Sequence, residues 1–395
     1  MDCAANSSPR RPSFELADIV RAHGEACRRS FVLTPDQTVV LRDIVRCRTA
    51  ALGGHLDVCD RCAHTSPSYN SCRNRHCPKC QGLAQAKWIA EREKRILPVR
   101  HFHVVFTLPA ELHGLVRFRR EALFDMLFAC ASQTLLELAR DERHLGAELG
   151  LTAVLHTWTR ELLFHPHVHC IVTGGGLALD GRRWIDSGKK FLFHVNVMGA
   201  LFRGKFLDRL RKAYARGAFA GFHGFDDPEG FDRLMTAIAR KNWIVYAKRA
   251  FGGAEQVYRY LGRYTHRVGI ANSRLVALRD NDVTFRTKNG KTITVAPTEF
   301  LRRFLLHVLP PRFVKMRHFG LLASGNVNTK LASARALLEA RRPRSMTRAT
   351  PSGQDIFDAL IADKPRPCPL CRFGSLHRRP LPPNWTATPP ILDSS

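Results

Sequence analysis

No run of about 20 apolar residues occurs in this chain, so no helix is expected to span a bilayer. The first twenty residues, MDCAANSSPRRPSFELADIV, have no apolar stretch after their basic pair and do not read as a secretory signal. There is no internal repeat. Acidic residues are in short supply: 34 Asp and Glu face 62 Lys and Arg, a formal charge of +28. Such a surplus says little about fold but narrows the partners to polyanions, of which nucleic acid is the commonest. Charge alone also suits a ribosome-associated or membrane-surface protein. With 395 residues and 45% apolar composition, the chain can bury one sizeable core and a smaller satellite.

Twelve cysteines are present, and six of them crowd into residues 47–80. In a chain without a signal, metal-type spacing favours zinc in a reducing compartment over disulfides, so a cytoplasmic location is expected. Cys59-x2-Cys62 and Cys77-x2-Cys80 stand 14 residues apart. Each such turn supplies two thiolates to one side of a tetrahedral ion, which makes these four the expected structural zinc site. Cys47, His55, Cys72 and His76 flank the set and could form a second, interleaved site. Either site would be closed by protein ligands and therefore structural. The module would present Arg73, Arg75 and Lys79 to DNA. Cys368-x2-Cys371, far downstream, has only His377 nearby, and no full site is expected there.

The organisation follows from periodicity and turn residues. Residues 1–45 form an N-terminal helical segment, with a helix around Phe14–His23. Residues 46–97 hold the zinc module and a basic helix, Leu83–Leu97, carrying Lys87, Arg92, Lys94 and Arg95. Residues 98–325 form the main domain. In it, His101–Leu108, Leu151–Thr159 and Leu162–Thr173 read as strands, the last ending at Gly174–Gly176. Leu115–Leu149 reads as one or two helices, Val197–Tyr214 and Gly230–Lys241 as helices, and Asp180-Gly181 as a hairpin turn. Gly253–Arg267 reads as helix, then Leu275–Leu278, Val283–Thr287 and Thr292–Val295 as strands turned by Asn289-Gly290, then Thr298–Leu309 as helix. Ten of the 22 prolines lie at or beyond position 343, so residues 326–395 are expected to be a basic, largely disordered tail.

Two clusters carry chemistry. His165-Pro166-His167-Val168-His169 lies on an expected strand, where alternation puts the three histidines on one face, about 6.5–7 Å apart, with Val168 turned inward. Imidazoles so placed can converge on one divalent ion, which would neutralise charge on a phosphate. Tyr260-Leu-Gly-Arg-Tyr264 sets two phenols one helical turn apart. Tyrosine can act as a covalent nucleophile, and two could accept two strand ends in succession. Arg259, Arg263 and Arg267 surround the pair with positive charge suited to a phosphate backbone; a core aromatic stripe is the plainer reading of the same spacing.

Taken together, FTLP (Phe106–Pro109), HPHVHCIV (His165–Val172) and YLGRYTHR (Tyr260–Arg267), preceded by the Cys-rich YNSCRNRHCPKCQ (Tyr69–Gln81), resemble the two-tyrosine HUH transposases of rolling-circle insertion sequences over roughly residues 40–325. The resemblance implies an α+β HUH endonuclease fold, a central antiparallel sheet flanked by helices, with a small N-terminal zinc module. It implies that His167 and His169 bind Mg²⁺ or Mn²⁺, with Gln256 or His165 as third ligand. Tyr260 and Tyr264 would attack single-stranded DNA at element ends and target, leaving a 5′-phosphotyrosine and a 3′-hydroxyl for the host replication machinery. The alternatives are a plasmid replication initiator or relaxase of the same chemistry, a non-enzymatic or relic zinc DNA-binding protein, and a histidine-triad nucleotide hydrolase. The last explains neither the cysteines nor the charge.

Overall fold

Apolar residues at every second position build the main sheet, and apolar residues at helical spacing cover it. The computed structural model describes residues 14–93, 95–188, 192–227, 229–251, 269–341 and 366–384, with Asp355 and Asp358. In chain order, helices α1 (Leu16–Ser30) and α2 (Pro35–Arg46) precede the hairpin of β1 (Gly54–Cys59) and β2 (Thr65–Tyr69) and helix α3 (Gln81–Glu93). Strand β3 (His101–Thr107) leads to α4 (His113–Phe118), α5 (Arg120–Arg140), β4 (Ala147–Trp158), β5 (Phe164–Ala178) and β6 (Trp184–Asp186). Then come α6 (Val195–Ala215), α7 (Gly230–Ala239) and β7 (Val245–Phe251), followed by β8 (Leu275–Arg279), β9 (Asp282–Arg286), β10 (Thr292–Val295) and α8 (Pro297–Leu305). The last elements are β11 (Met316–Gly320), α9 (Lys330–Ala340), β12 (Arg366–Pro367) and β13 (Ser375–Leu381).

These elements fall into two units, residues 1–85, 266–308 and 355–395 in one, and residues 86–265 and 309–354 in the other. The second unit is an antiparallel sheet in the order β11-β4-β5-β3-β7, with β6 paired to β5. On β3 and β5, Phe102, Val104, Phe106, Val168, Cys170 and Val172 are buried. Most of these join Leu127, Phe128 and Leu135 of α5 and Phe202 and Phe206 of α6 in the principal core. On the opposite face, Val154 and Ile171 meet Trp88, Ile96 and Met316. Among the described residues α5 is the one helix long and apolar enough to cross a membrane, and its apolar side chains are spent on this core.

Two expectations about this unit are corrected. The helical reading of Leu115–Leu149 overran: the chain leaves α5 at Arg140 and is already in β4 from Ala147. The triple glycine does not end β5, which runs through it to Ala178. A Cβ on Gly174 would lie 2.7 Å from the Arg100 carbonyl oxygen, and one on Gly176 would lie 2.6 Å from that of Glu148. Glycine there lets neighbouring backbones approach, and it does not mark a turn. Strands β7 and β11, which carry charged or exposed residues on one side, were not foreseen.

The first unit joins α1, α2 and α8 to the small sheet β10-β9-β8 and to a second sheet, β12-β13-β1-β2. Thr34 caps α2 ahead of Pro35, accepting from the Gln37 amide, and Gln37 Nε2 donates to the Leu305 carbonyl of α8 at 3.0 Å. Asn289 and Gly290, at φ 56° and 75°, supply the left-handed pair that turns β9 into β10. Two parts of the tail expected from residue 326 to lack structure are ordered: α9 (Lys330–Ala340), and residues 366–384 as β12 and β13, with β13 paired along the whole of β1.

Phe202 packs at 5.0 Å from Phe106 and 5.3 Å from Trp243, centroid to centroid, in the middle of the core. Phe202→Ala is therefore expected to cost about 3–5 kcal/mol, read as a lowered urea midpoint at unchanged slope; a loss under about 1 kcal/mol would show that this packing is misjudged.

Candidate metal centres and the histidine cluster

The pairing of β4 with β5 sets His156 opposite His167 and Val154 opposite His169. Side chains alternate, so His156, His167 and His169 emerge on the face of the sheet away from Val168 and Cys170. One ligand atom from each of these three lies within 4.8 Å of the others. Ring centroids stand 4.3 Å apart for His156 and His169, and 4.9 Å for His167 and His169. The His165 ring is 5.3 Å from His167 and 5.8 Å from His113, and His165 is not one of the three. Gln256 lies outside the described residues, as do Tyr260, Tyr264, Arg259, Arg263 and Arg267.

Hydrogen bonds decide which nitrogens are offered. His167 Nδ1 donates to the His165 carbonyl at 2.6 Å, which turns its Nε2 lone pair outward. His169 Nδ1 is 2.8 Å from His103 Nε2, so with Nε2 of His169 presented to an ion, its Nδ1–H donates to His103. Burial pushes the His167 and His103 imidazoles down to about 4, His103 being lowered further by the Lys248 ammonium and by His167. His169 is held well below the usual range by burial and then by the charges of its histidine neighbours. At neutral pH these rings are uncharged and their lone pairs are available, the form in which imidazole binds metal. His156 and His103 were missed in sequence reasoning. The signal was present, since the strand reading Leu151–Thr159 includes His156 at a position of the same parity as Val154, but a lone histidine eleven residues before His167 drew no notice.

The cysteines form two tetrads, grouped differently from the expectation. Cys47, Cys72, Cys77 and Cys80 bring their Sγ atoms within 4.8 Å of one another, and Cys59, Cys62, Cys368 and Cys371 do likewise. The expected quartet of Cys59, Cys62, Cys77 and Cys80 is thus split, and His55 and His76 belong to neither tetrad. The β1–β2 hairpin is the reason. Asn70 N donates to the Gly53 carbonyl at its base, and Arg48 N donates to Asn70, which brings Cys47 and Cys72 together there. Cys59 and Cys62 sit at its tip, about 17 Å away along five residues of strand. One ion cannot reach both ends.

In the Cys47 tetrad the Cys72 and Cys80 sulfurs are 3.7 Å apart, and the Cys72 amide points at Cys47 Sγ at 3.5 Å. The Cys47 thiol is held far below its ordinary value by hydrogen bonds from the neighbouring thiols of Cys72, Cys77 and Cys80. Four sulfurs about 2.3 Å from a common zinc would stand about 3.8 Å apart, so the spacing fits that ion. Of the residues expected to face DNA, Arg73 is exposed at φ 55°, Arg75 is half-buried, and Lys79 is engaged by Glu15.

Comparison with known proteins bears on both centres. Residues 150–330 match a family described as "Putative transposase", and residues 19–108 match one described as "Transposase zinc-binding domain". The chain is 42% identical over 392 residues to "Putative transposase y4qJ" of Sinorhizobium fredii, covering 96% of this chain and 98% of that protein. It is 29% identical over 296 residues to "Transposase for insertion sequence element IS801" of Pseudomonas savastanoi pv. phaseolicola, covering 71% of this chain and 69% of that protein. No solved structure matches.

The Cys47 tetrad lies wholly inside the matched zinc-binding segment. Cys77→Ser is expected to release one zinc per chain and to speed amide exchange through α2 and the β1–β2 hairpin, measured by elemental analysis and hydrogen-exchange mass spectrometry. Unchanged zinc content would remove Cys77 from the ligand set.

Proposed function

For a chain that belongs to this transposase family, with its zinc-binding domain and its action on DNA, we propose a metal-dependent, single-strand nicking and joining reaction carried by the histidine cluster and the tyrosine pair. The observation that supports it most is the convergence of His156, His167 and His169 on one sheet face, with one ligand atom from each within 4.8 Å of the others. His156 takes the place that His165 or Gln256 was expected to fill as third ligand. Three nitrogen donors are softer than Mg²⁺ prefers, so Mn²⁺ is the better fit of the two.

A divalent ion held there would polarise the scissile phosphate and offset its developing charge. His103 keeps the His169 ring oriented, and the His165 carbonyl does the same for His167. Tyr260 and Tyr264 are the proposed nucleophiles. β7 ends at Phe251, two strands or about 10 Å from β5, and the nine residues from there to Tyr260 cover about 14 Å as a helix, a length comparable with that gap. The attacking phenol gives up its proton and its oxygen bonds to phosphorus. The P–O3′ bond breaks, leaving a 5′-phosphotyrosine and a 3′-hydroxyl for host polymerase. The second tyrosine repeats the step on another strand end, so neither end is released. Arg259, Arg263 and Arg267 are the proposed backbone contacts, and Arg73 is proposed separately as a contact of the zinc module.

Incubation of the protein with single-stranded DNA bearing an element end and Mn²⁺ is expected to give a covalent adduct, located by mass spectrometry on Tyr260 or Tyr264. An adduct that survives in the Tyr260→Phe, Tyr264→Phe double variant would sink the assignment. His156→Ala is expected to lower cleavage by at least about 100-fold and His103→Ala to weaken Mn²⁺ binding about 10–100-fold, while His165→Ala stays near the parent. Cleavage that survives loss of His156 but not of His165 would return the third position to His165.

A further inference from the structure

We propose that Cys59, Cys62, Cys368 and Cys371 form a second tetrathiolate zinc site, in which the C-terminal end of the chain completes the N-terminal zinc module. The matched zinc-binding segment stops at residue 108, and the transposase match stops at 330, so neither reaches Cys368 or Cys371.

The four sulfurs already have the required geometry. Cys59 Sγ lies 3.7 Å from Cys371 Sγ, and Cys62 Sγ lies 3.7 Å from Cys368 Sγ. A disulfide needs about 2.05 Å, whereas sulfurs bound about 2.3 Å from one zinc stand about 3.8 Å apart. Each Cys-x2-Cys turn has a left-handed residue directly after its second cysteine and an amide aimed at one of its sulfurs. In the first, the Arg61 amide donates to Cys59 Sγ at 3.4 Å, Ala63 is left-handed at φ 54°, and the Cys59 amide donates to the His64 carbonyl at 2.9 Å. In the second, the Gly374 amide donates to Cys371 Sγ at 3.3 Å, Arg372 is left-handed at φ 61°, and the Cys368 amide donates to the Gly374 carbonyl at 2.8 Å. Amides aimed at sulfur stabilise thiolate, the ligand form.

The two turns meet because their strands do. Antiparallel pairing of β1 with β13 sets Cys59 opposite Leu376, which puts both turns at the same end of the sheet β12-β13-β1-β2. The Ser375 amide donates to Asp60 Oδ1 at 2.9 Å, and Arg378 Nε donates to the buried Asp57 at 3.0 Å. Gly374 is squeezed between the turns: a Cβ there would fall 2.5 Å from Cys59 Sγ and 2.7 Å from Asp60 Oδ1. Two such turns, facing each other with four sulfurs at ligand spacing, make a closed structural site.

The test is the zinc content of the intact protein, purified under reducing conditions without chelator and measured by native mass spectrometry, with X-ray absorption at the zinc edge. Two ions per chain, each in an all-sulfur shell, are expected. The Cys368→Ser, Cys371→Ser double variant should retain one ion, and Cys368→His should retain two. One ion in the intact protein, two in the double variant, or a disulfide between the two turns would overturn the proposal. The intact-protein count decides even if the serine variant does not fold, and it is independent of DNA cleavage.

Discussion

The register between β4 and β5 is the constraint on which the candidate chemistry rests. Sliding one strand by a single residue would turn His167 and His169 into the core and Val168 and Cys170 out of it. That slip is opposed by the whole apolar face packed against α5 and α6, where burial of each large side chain contributes roughly 1.5–3 kcal/mol. The same register sets His156 across from His167. A polar cluster that no side-chain preference would assemble is thus held in place by the hydrophobic residues on the reverse of the same strands. His103 extends the arrangement by one strand, since the pairing of β3 with β5 sets Val105 beside His169 and His103 beside Ile171.

Strand geometry also governs the cysteines, in the other unit. A hairpin five to six residues long keeps its two ends too far apart to share one ion. Cysteines at its base must find partners among residues that precede and follow it, which are Cys47, Cys72, Cys77 and Cys80. Cysteines at its tip must find partners from elsewhere in the chain. β13, pairing along the full length of β1, is what brings Cys368 and Cys371 to that tip.

Much of this was legible in the sequence, and the limits have physical causes. The zinc module, the strand holding His165 to His169 and the inward turn of Val168 follow from local patterns of period two and from Cys-x2-Cys spacing, and the α+β class was implied by the family resemblance. Local patterns carry no information about which strand lies beside which. His156 acquires its place only through cross-strand pairing, and the Cys59 pair acquires its partners from 306 and 312 residues away. The readings that depended on chain proximity, with Cys59 grouped with Cys77 and His165 with His167, were the ones that changed. Proline and arginine content made the chain from residue 326 look structureless, yet β12 and β13 are short strands whose order comes from cross-strand pairing, β13 with β1 and β12 with β13, rather than from their own composition.

The charge of +28 takes on a more definite sense beside these sites. Uncharged imidazoles contribute nothing to it at neutral pH, and a closed tetrathiolate zinc site carries negative charge, so neither centre accounts for the surplus. It resides in arginine and lysine, and several of these already have acidic partners: Lys79 with Glu15, Arg317 with Asp125, Lys330 with Glu148. With 62 basic and 34 acidic residues, a pairing of every acid would still leave 28 cations facing solvent or phosphate. DNA held by that excess is bound through its backbone, which confers affinity without sequence choice. Choice of strand and position must then come from something more local than charge, and in the proposed reaction a cluster fixed by strand register, met by tyrosines from another segment, would supply it.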